Sequence, residues 1–319
     1  MYYSHARFAL EDGLNSLGFK DNDIVLIPDY ICEAVLQPFI CLNIRIIFYK
    51  IDESFCVLKN SLETQIKEND QIKAIMMVHF FGQPADIDWF RYITKKYSLY
   101  LIEDNAHGFG GVVDGKLLGK FGDIGISSPR KIINCQHGGI LYLGDQKYLM
   151  KSSMHKANIF LTISSILKQG LSYSPLIKEI LRKLLRKKII YSEPEDLVEN
   201  YIYQTKVDFL SNFFLKKAEN PSYINKIAFN RRIQWNILMD VTEKLGGQRV
   251  FNNVHDTSCP WAYPFYLDDW NKREELIFEV KKMGYDCFSW PALPKHNNAI
   301  ELDLCNRWKR LICISLKNS

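Results

Sequence analysis

The chain has 319 residues, 47% of them hydrophobic and 24% charged, which excludes a disordered tail or a fibrous repeat. Its formal net charge of +5 lacks the strong basic bias of a dedicated nucleic-acid binder. The start, Met1 to Arg7, lacks a secretory pattern, and the most apolar stretch, Ile24 to Phe48, is broken by Asp29, Glu33, Asn43 and Arg45, so neither a signal nor a membrane span is expected. Along the first half, Ile24–Ile27, Ile44–Phe48, Ala74–Val78 and Leu99–Ile102 read as short buried strands. Segments of helical length lie between them, such as Ile87 to Tyr97. Strands spaced by helices predict βαβ units and a mostly parallel sheet covered on both faces. Residues 151–220 read as helical and glycine-poor. They carry the basic run Lys178, Arg182, Lys183, Arg186, Lys187 and Lys188, either a solvated helix face or a peripheral contact with an anionic surface. A long amphipathic segment follows from Ile227 to Leu245, then a strand at Ala262–Tyr266 and a helix from Lys272 to Met283. The expected organisation is a large three-layer α/β/α domain over 1–225 and a small α+β domain over 226–319.

The eight cysteines form no CxxC pair and, with the histidines, no zinc spacing, so no metal site is expected. They read as reduced thiols of a cytoplasmic protein, most of them buried.

Chemistry concentrates between Tyr100 and Gly139. The strand Leu101-Ile102 runs into Glu103-Asp104-Asn105-Ala106-His107, at the strand end where open α/β sheets bind ligands. Asp123, Ser127-Ser128-Pro129-Arg130-Lys131 and Gly138-Gly139 follow. One cofactor chemistry uses a carboxylate, hydroxyls, glycine turns and one lysine together. Pyridoxal phosphate binds a lysine amine through its aldehyde, needs a carboxylate at its pyridine nitrogen, and seats its phosphate on N–H and O–H donors. Other motifs fall short. Gly108-Phe109-Gly110-Gly111 does not complete a dinucleotide fingerprint, because Val113 holds the third glycine site. Asp86-Ile87-Asp88 reads as a helix start rather than a metal-binding pair.

The ordered set resembles the sugar aminotransferases of the DegT/DnrJ/EryC1/StrS family. The resemblance rests on Val78-His79-Phe80-Phe81-Gly82-Gln83-Pro84-Ala85-Asp86-Ile87-Asp88, on Ile102-Glu103-Asp104-Asn105-Ala106-His107, on Gly115–Gly119 and Gly122–Gly125, and on Lys131 followed by Gly138-Gly139. Ser4–Leu10 resembles the family's phosphate turn. The likeness spans residues 4 to about 143 and is weaker beyond, where Asn230-Arg231-Arg232, Gly284 and Trp290–Pro294 still look familiar.

The resemblance implies a pyridoxal phosphate fold and an aminotransferase acting on a nucleotide-linked keto-sugar. It implies an amino-acid donor such as glutamate, a role in surface-polysaccharide synthesis, and a homodimer. Residue by residue, it places Asp104 at the pyridine nitrogen and Lys131 at the aldehyde. His107 would lie by the phenolic oxygen, and Ser127, with or without Ser128, and Ala6-Arg7 at the phosphate. His79 and Gln83 are expected near the substrate. The stacking position falls on Cys32, which leaves Tyr30, His107 or no side chain to stack. Trp261, Tyr263 and Trp290 read as core. Four departures keep a catalytically inactive scaffold as the alternative: a segment between Asp123 and Lys131 two residues shorter than usual, an altered phosphate turn, no G-x-N-x-R stretch after the lysine, and a chain that starts almost at the phosphate turn.

Overall fold

A computed structural model describes residues 2–133, 135–144, 207–291, 293–294 and 302–317. The basic stretch 178–188 lies outside them. In chain order the first half holds β1 (Tyr2–Tyr3), α1 (Ala6–Ser16), β2 (Ile24–Pro28), α2 (Gln37–Cys41), β3 (Arg45–Tyr49), α3 (Lys59–Glu68), β4 (Ile72–Val78), α4 (Ile87–Tyr97) and β5 (Tyr100–Asn105). A short hairpin of β6 (Val112–Val113) and β7 (Lys116–Leu117) precedes β8 (Ile124–Ser127) and β9 (Gly139–Leu143). The second half holds α5 (Phe209–Ala218), α6 (Pro221–Lys244), β10 (Gln248–Arg249), β11 (Ala262–Tyr266), α7 (Arg273–Lys282), β12 (Cys287–Ser289), α8 (Leu302–Arg310) and β13 (Leu311–Ser315).

Seven strands form one sheet in the order β1-β9-β8-β5-β4-β2-β3. Strands β3, β2, β4, β5 and β8 pair in parallel, and β9 joins antiparallel to β8. The apolar runs become these strands because helices cover the sheet, so side chains pointing either way are buried; every residue of β2 is. The edges of α4 follow local rules. The Asp86 carboxylate accepts the Trp89 N–H at 3.2 Å, and Ser98 closes the helix in the left-handed region with φ 55°.

A second sheet, β10-β11-β13-β12, is antiparallel throughout. The expected boundary between 225 and 226 falls inside the continuous helix α6. The first part of that helix packs Ile224, Ile227 and Ala228 against Ile132 and Ile133 below the first sheet. Its later part sends Trp235 and Leu238 into the main core with β11. One helix therefore belongs to both halves. The eight cysteines are all free, and four of them, Cys135, Cys259, Cys287 and Cys313, are buried. Burial is thus less general than expected, because Cys41, at the end of α2, and Cys56, in the loop after β3, are exposed. Among the described residues, no helix is long and apolar enough to cross a membrane.

Candidate functional site

The parallel sheet delivers Asp104 by simple alternation. Glu103 and Asp104 are neighbours on β5, so their side chains leave opposite faces. Glu103 turns into the fold and accepts His79 Nε2 at 2.8 Å and the Gly122 N–H at 3.0 Å. Asp104 turns into a cavity of about 310 Å³. Its Oδ1 accepts the Ala106 N–H at 2.8 Å. Lys131 lines the same cavity from a single 3-10 turn, Pro129–Lys131, that follows β8, the strand beside β5. Cys32 and Ser128 complete that part of the lining.

Burial dominates the electrostatics. It pushes the Asp104 carboxyl up, against the Ala106 N–H and the Lys131 charge. It pushes the Lys131 amine down, against Cys32 and Asp104. Acid and amine thus line one cavity, each shifted toward its neutral form.

The other end of the cavity is built for an anion. Its wall is the N-terminus of α1, with His5 at the cap position and no side-chain cap bond. Backbone N–H groups at a helix start favour negative charge. Arg7 and Arg130 line the same end. Arg7 Nη1 also donates to Gln37 Oε1 at 3.1 Å, which fixes its direction. His5 contributes no charge, because burial and then Arg130, Arg7 and His137 bring its pKa to about 3. The approach depends on Gly139. A Cβ there would meet the His5 carbonyl carbon and oxygen at 2.4 Å, so α1 starts directly over β9 only because that residue has no side chain.

His107 lies in an adjoining recess with Asp104, Lys131 and Trp290. Its Nδ1 accepts the Phe81 N–H at 3.2 Å. Burial, followed by the Lys131 charge, holds it well below the ordinary histidine range. A neutral ring that accepts at Nδ1 carries its hydrogen on Nε2, which makes His107 a donor there.

Several expected residues have other duties. Ser127 is buried within the sheet, where its Oγ accepts from Asn105 Nδ2 at 3.1 Å and also bonds Tyr142. Ser128, one residue on, is the serine at the cavity. Tyr30 is fully buried, packs edge-on against Phe55 at 5.4 Å, and lies under the Arg307 guanidinium rather than at the cavity. His79 has spent both ring nitrogens, with Nδ1 accepting the Ala85 N–H and Nε2 on Glu103. That leaves no ring nitrogen for a substrate. Gln83 holds the His255 N–H at 2.8 Å and faces a separate apolar cavity.

Two residues expected only as core reach the site. Trp290 lines the recess. The Trp261 ring lies 4.4 Å from that of His107, and Lys131 Nζ sits 4.6 Å from its centroid. Arg130 and Trp261 are not legible as site residues in the sequence. Arg130 stands next to Lys131, and its charge is the available signal. Trp261 comes from a distant segment and reads as core.

Residues 3–158 match the DegT/DnrJ/EryC1/StrS aminotransferase family. The chain is 33% identical over 141 residues to GDP-perosamine synthase of Vibrio cholerae, which covers 43% of this chain and 38% of that protein. It is 32% identical over 146 residues to GDP-perosamine synthase of Escherichia coli O157:H7, 45% of this chain and 40% of that one. The matched stretch is thus under half the length of these relatives. Among solved structures, a DegT DnrJ EryC1 StrS aminotransferase from Brucella abortus has a TM-score of 0.66 at 16% identity, covering 100% of this chain and 80% of its own. NtdA of Bacillus subtilis, with bound cofactor PMP, has a TM-score of 0.66 at 18% identity, covering 100% of this chain and 69% of its own. These likenesses establish the type of α/β fold expected from the sequence.

Proposed function

We propose, for a chain whose residues 3–158 match the DegT/DnrJ/EryC1/StrS aminotransferase family, that it is a pyridoxal phosphate-dependent sugar aminotransferase. Its substrate in this reading is a nucleotide-linked keto-sugar and its donor an amino acid, with glutamate the first to test. The chain works as a cytoplasmic homodimer in surface-polysaccharide synthesis.

One observation carries the reading: Asp104 and Lys131 line a single cavity that the start of α1 and two arginines also line. The donor set fits the cofactor. The start of α1, Arg7, Arg130 and Ser128 suit its phosphate, a dianion that needs N–H, O–H and guanidinium donors. Asp104 suits its pyridine nitrogen, because a carboxylate at that nitrogen keeps it protonated. His107 Nε2 suits a phenolate oxygen, because it can only donate. When bound, the cofactor supplies an aldehyde for an amine and a ring that takes up electron density.

The protein's own part is positional and acid–base. The Ala106 N–H aims Asp104 and favours its charged form. Burial keeps Lys131 from holding its proton as firmly as a surface lysine does. An amine shifted in this way serves as a nucleophile, and once free it can take up and return a proton beside the cavity. The chain keeps a lysine here, and that argues for amination over sugar dehydration.

The test is the absorption spectrum of the purified protein with pyridoxal phosphate, before and after adding glutamate. A visible band is expected that moves to shorter wavelength with glutamate and is absent in Lys131→Ala. A folded protein with no band at saturating cofactor would sink the reading and favour a scaffold role.

A further inference from the structure

We propose that Trp261 is a positioning residue: the face of its indole is the resting place of the Lys131 ammonium, and it holds His107 beside it. This rests on the reading of Lys131 as the working amine.

The geometry is specific. Lys131 Nζ lies 4.6 Å from the centroid of the Trp261 ring. A cation within about 6 Å of an indole face is attracted by the ring's electron density, more strongly where water is excluded. The His107 ring lies tilted against the same indole, with 4.4 Å between centroids and 31° between planes. One ring therefore touches both groups.

The backbone that carries the indole is held twice. The Trp261 N–H donates to the Phe81 carbonyl at 3.2 Å. Phe81 in turn gives its own N–H to His107 Nδ1. Phe81 is buried and adopts φ 55° and ψ 15°, a left-handed conformation that bulky residues rarely take. This strained turn aims its N–H at His107 and its carbonyl at Trp261. Gly82, at φ 81°, permits the approach, since a Cβ would meet the His107 carbonyl at 2.6 Å and the Cys259 carbonyl at 2.8 Å.

The second hold is Arg231. Its guanidinium is buried and donates to the carbonyls of Pro260 at 2.9 Å, Trp261 at 3.0 Å and Ile132 at 3.0 Å. Ile132 follows Lys131. One arginine on α6 thereby ties the lysine turn to the segment that carries the indole. These three acceptors are backbone carbonyls, so the clamp sets position.

The consequence concerns the proton on Lys131. The groups that face this amine are Cys32 and Asp104, which favour its charged form, and Arg130, which opposes it; His107 is neutral. The indole adds attraction for the ammonium and none for the amine. It stores the proton at Nζ beside the cavity until the lysine is needed.

The test uses the protein alone, without cofactor. Reductive methylation of Lys131 by formaldehyde and cyanoborohydride, followed across pH by peptide mass spectrometry, reports the fraction of free amine. Trp261→Leu is expected to raise that fraction about threefold to tenfold at a fixed pH below the midpoint. Trp261→Phe should keep at least half of the shift. A midpoint unchanged in both variants would overturn the proposal.

Tryptophan emission of the wild-type protein gives a second reading that does not depend on the leucine variant folding. It should step at the Lys131 midpoint, and the step should vanish in Lys131→Met. A step that persists in Lys131→Met, or no step at all, would also overturn it. A protein that binds no pyridoxal phosphate would still yield both results, so failure of the functional reading and failure of this one are distinct.

Discussion

Glu103 shows how much one buried carboxylate can organise. It takes the His79 ring on one oxygen and the Phe121 and Gly122 N–H groups on the other, and its first oxygen also accepts from Gly119. Burial pushes this carboxyl up, but the His79 pair and the N–H donors outweigh it and hold it below its ordinary value. The sign follows. A group with a depressed folded pKa contributes stability above its unfolded value of about 4.3, and loses it as pH falls through the folded one. Glu103→Gln replaces an acceptor of four hydrogens with an amide that can accept at one atom only. A loss of about 2–4 kcal/mol is expected at pH 6 from guanidinium unfolding, shrinking at pH 3, where the unfolded carboxyl is already protonated and folding must remove that proton. Equal losses at the two pH values would refute the account. The motif itself was legible, since Glu103 and Asp104 stand side by side. Their division of labour was not, because alternation assigns opposite faces without saying which face holds the cavity.

Helices in this chain start and stop by rules that are local, so the sequence predicts them well. The span Ile87–Tyr97 and the strand Ala262–Tyr266 are expected and observed with the same bounds. Asp86 reads as a helix start, and its carboxylate does cap α4. At the other end the exposed Ser98 sits at φ 55° and ψ 41°, where a Cβ is unfavourable. Ser98→Gly is expected to stabilise the protein by about 0.5–1 kcal/mol, read as a higher urea midpoint at unchanged slope. A lower midpoint would show that some contact of the hydroxyl matters more than backbone strain. Helix α6 marks the limit of this reading. Its amphipathic pattern predicts a helix from 227, yet the helix begins at Pro221, because Asn220 caps it through the Ser222 N–H. The pattern also could not show that the helix serves two cores.

At the scale of the whole molecule, the second sheet completes the site from outside the stretch where the family resemblance is strong. Arg307 makes the connection. It comes from α8, is buried, and stacks its guanidinium 4.5 Å from the Tyr30 ring and 4.2 Å from the Phe55 ring. Its Nε donates to Tyr266 Oη at 2.9 Å, and Tyr266 Oη donates to the Glu53 carbonyl at 2.7 Å. The second sheet is thus pinned to the loop after β3. Arg307→Ala removes two cation–π contacts and leaves a cavity between the sheets. A loss of about 2–4 kcal/mol is expected in thermal or denaturant unfolding. A change under about 0.5 kcal/mol would mean that the sheets are held by apolar packing alone.

The sequence alone determined the parallel core, the acid at the end of β5, the lysine after β8 and the cofactor class they suit. These are encoded in runs of a few residues, and each run folds much the same way in any parallel sheet. The tertiary structure decided the rest. It put Ser128 rather than Ser127 at the cavity, since pairing of Ser127 with Asn105 fixes which side chain turns inward. It withdrew Tyr30, His79 and Gln83 into interior contacts. It brought Trp261 to Lys131 across 130 positions of chain. Such contacts depend on how two sheets pack around one helix, and packing at that range leaves no periodic trace in the residues that make it.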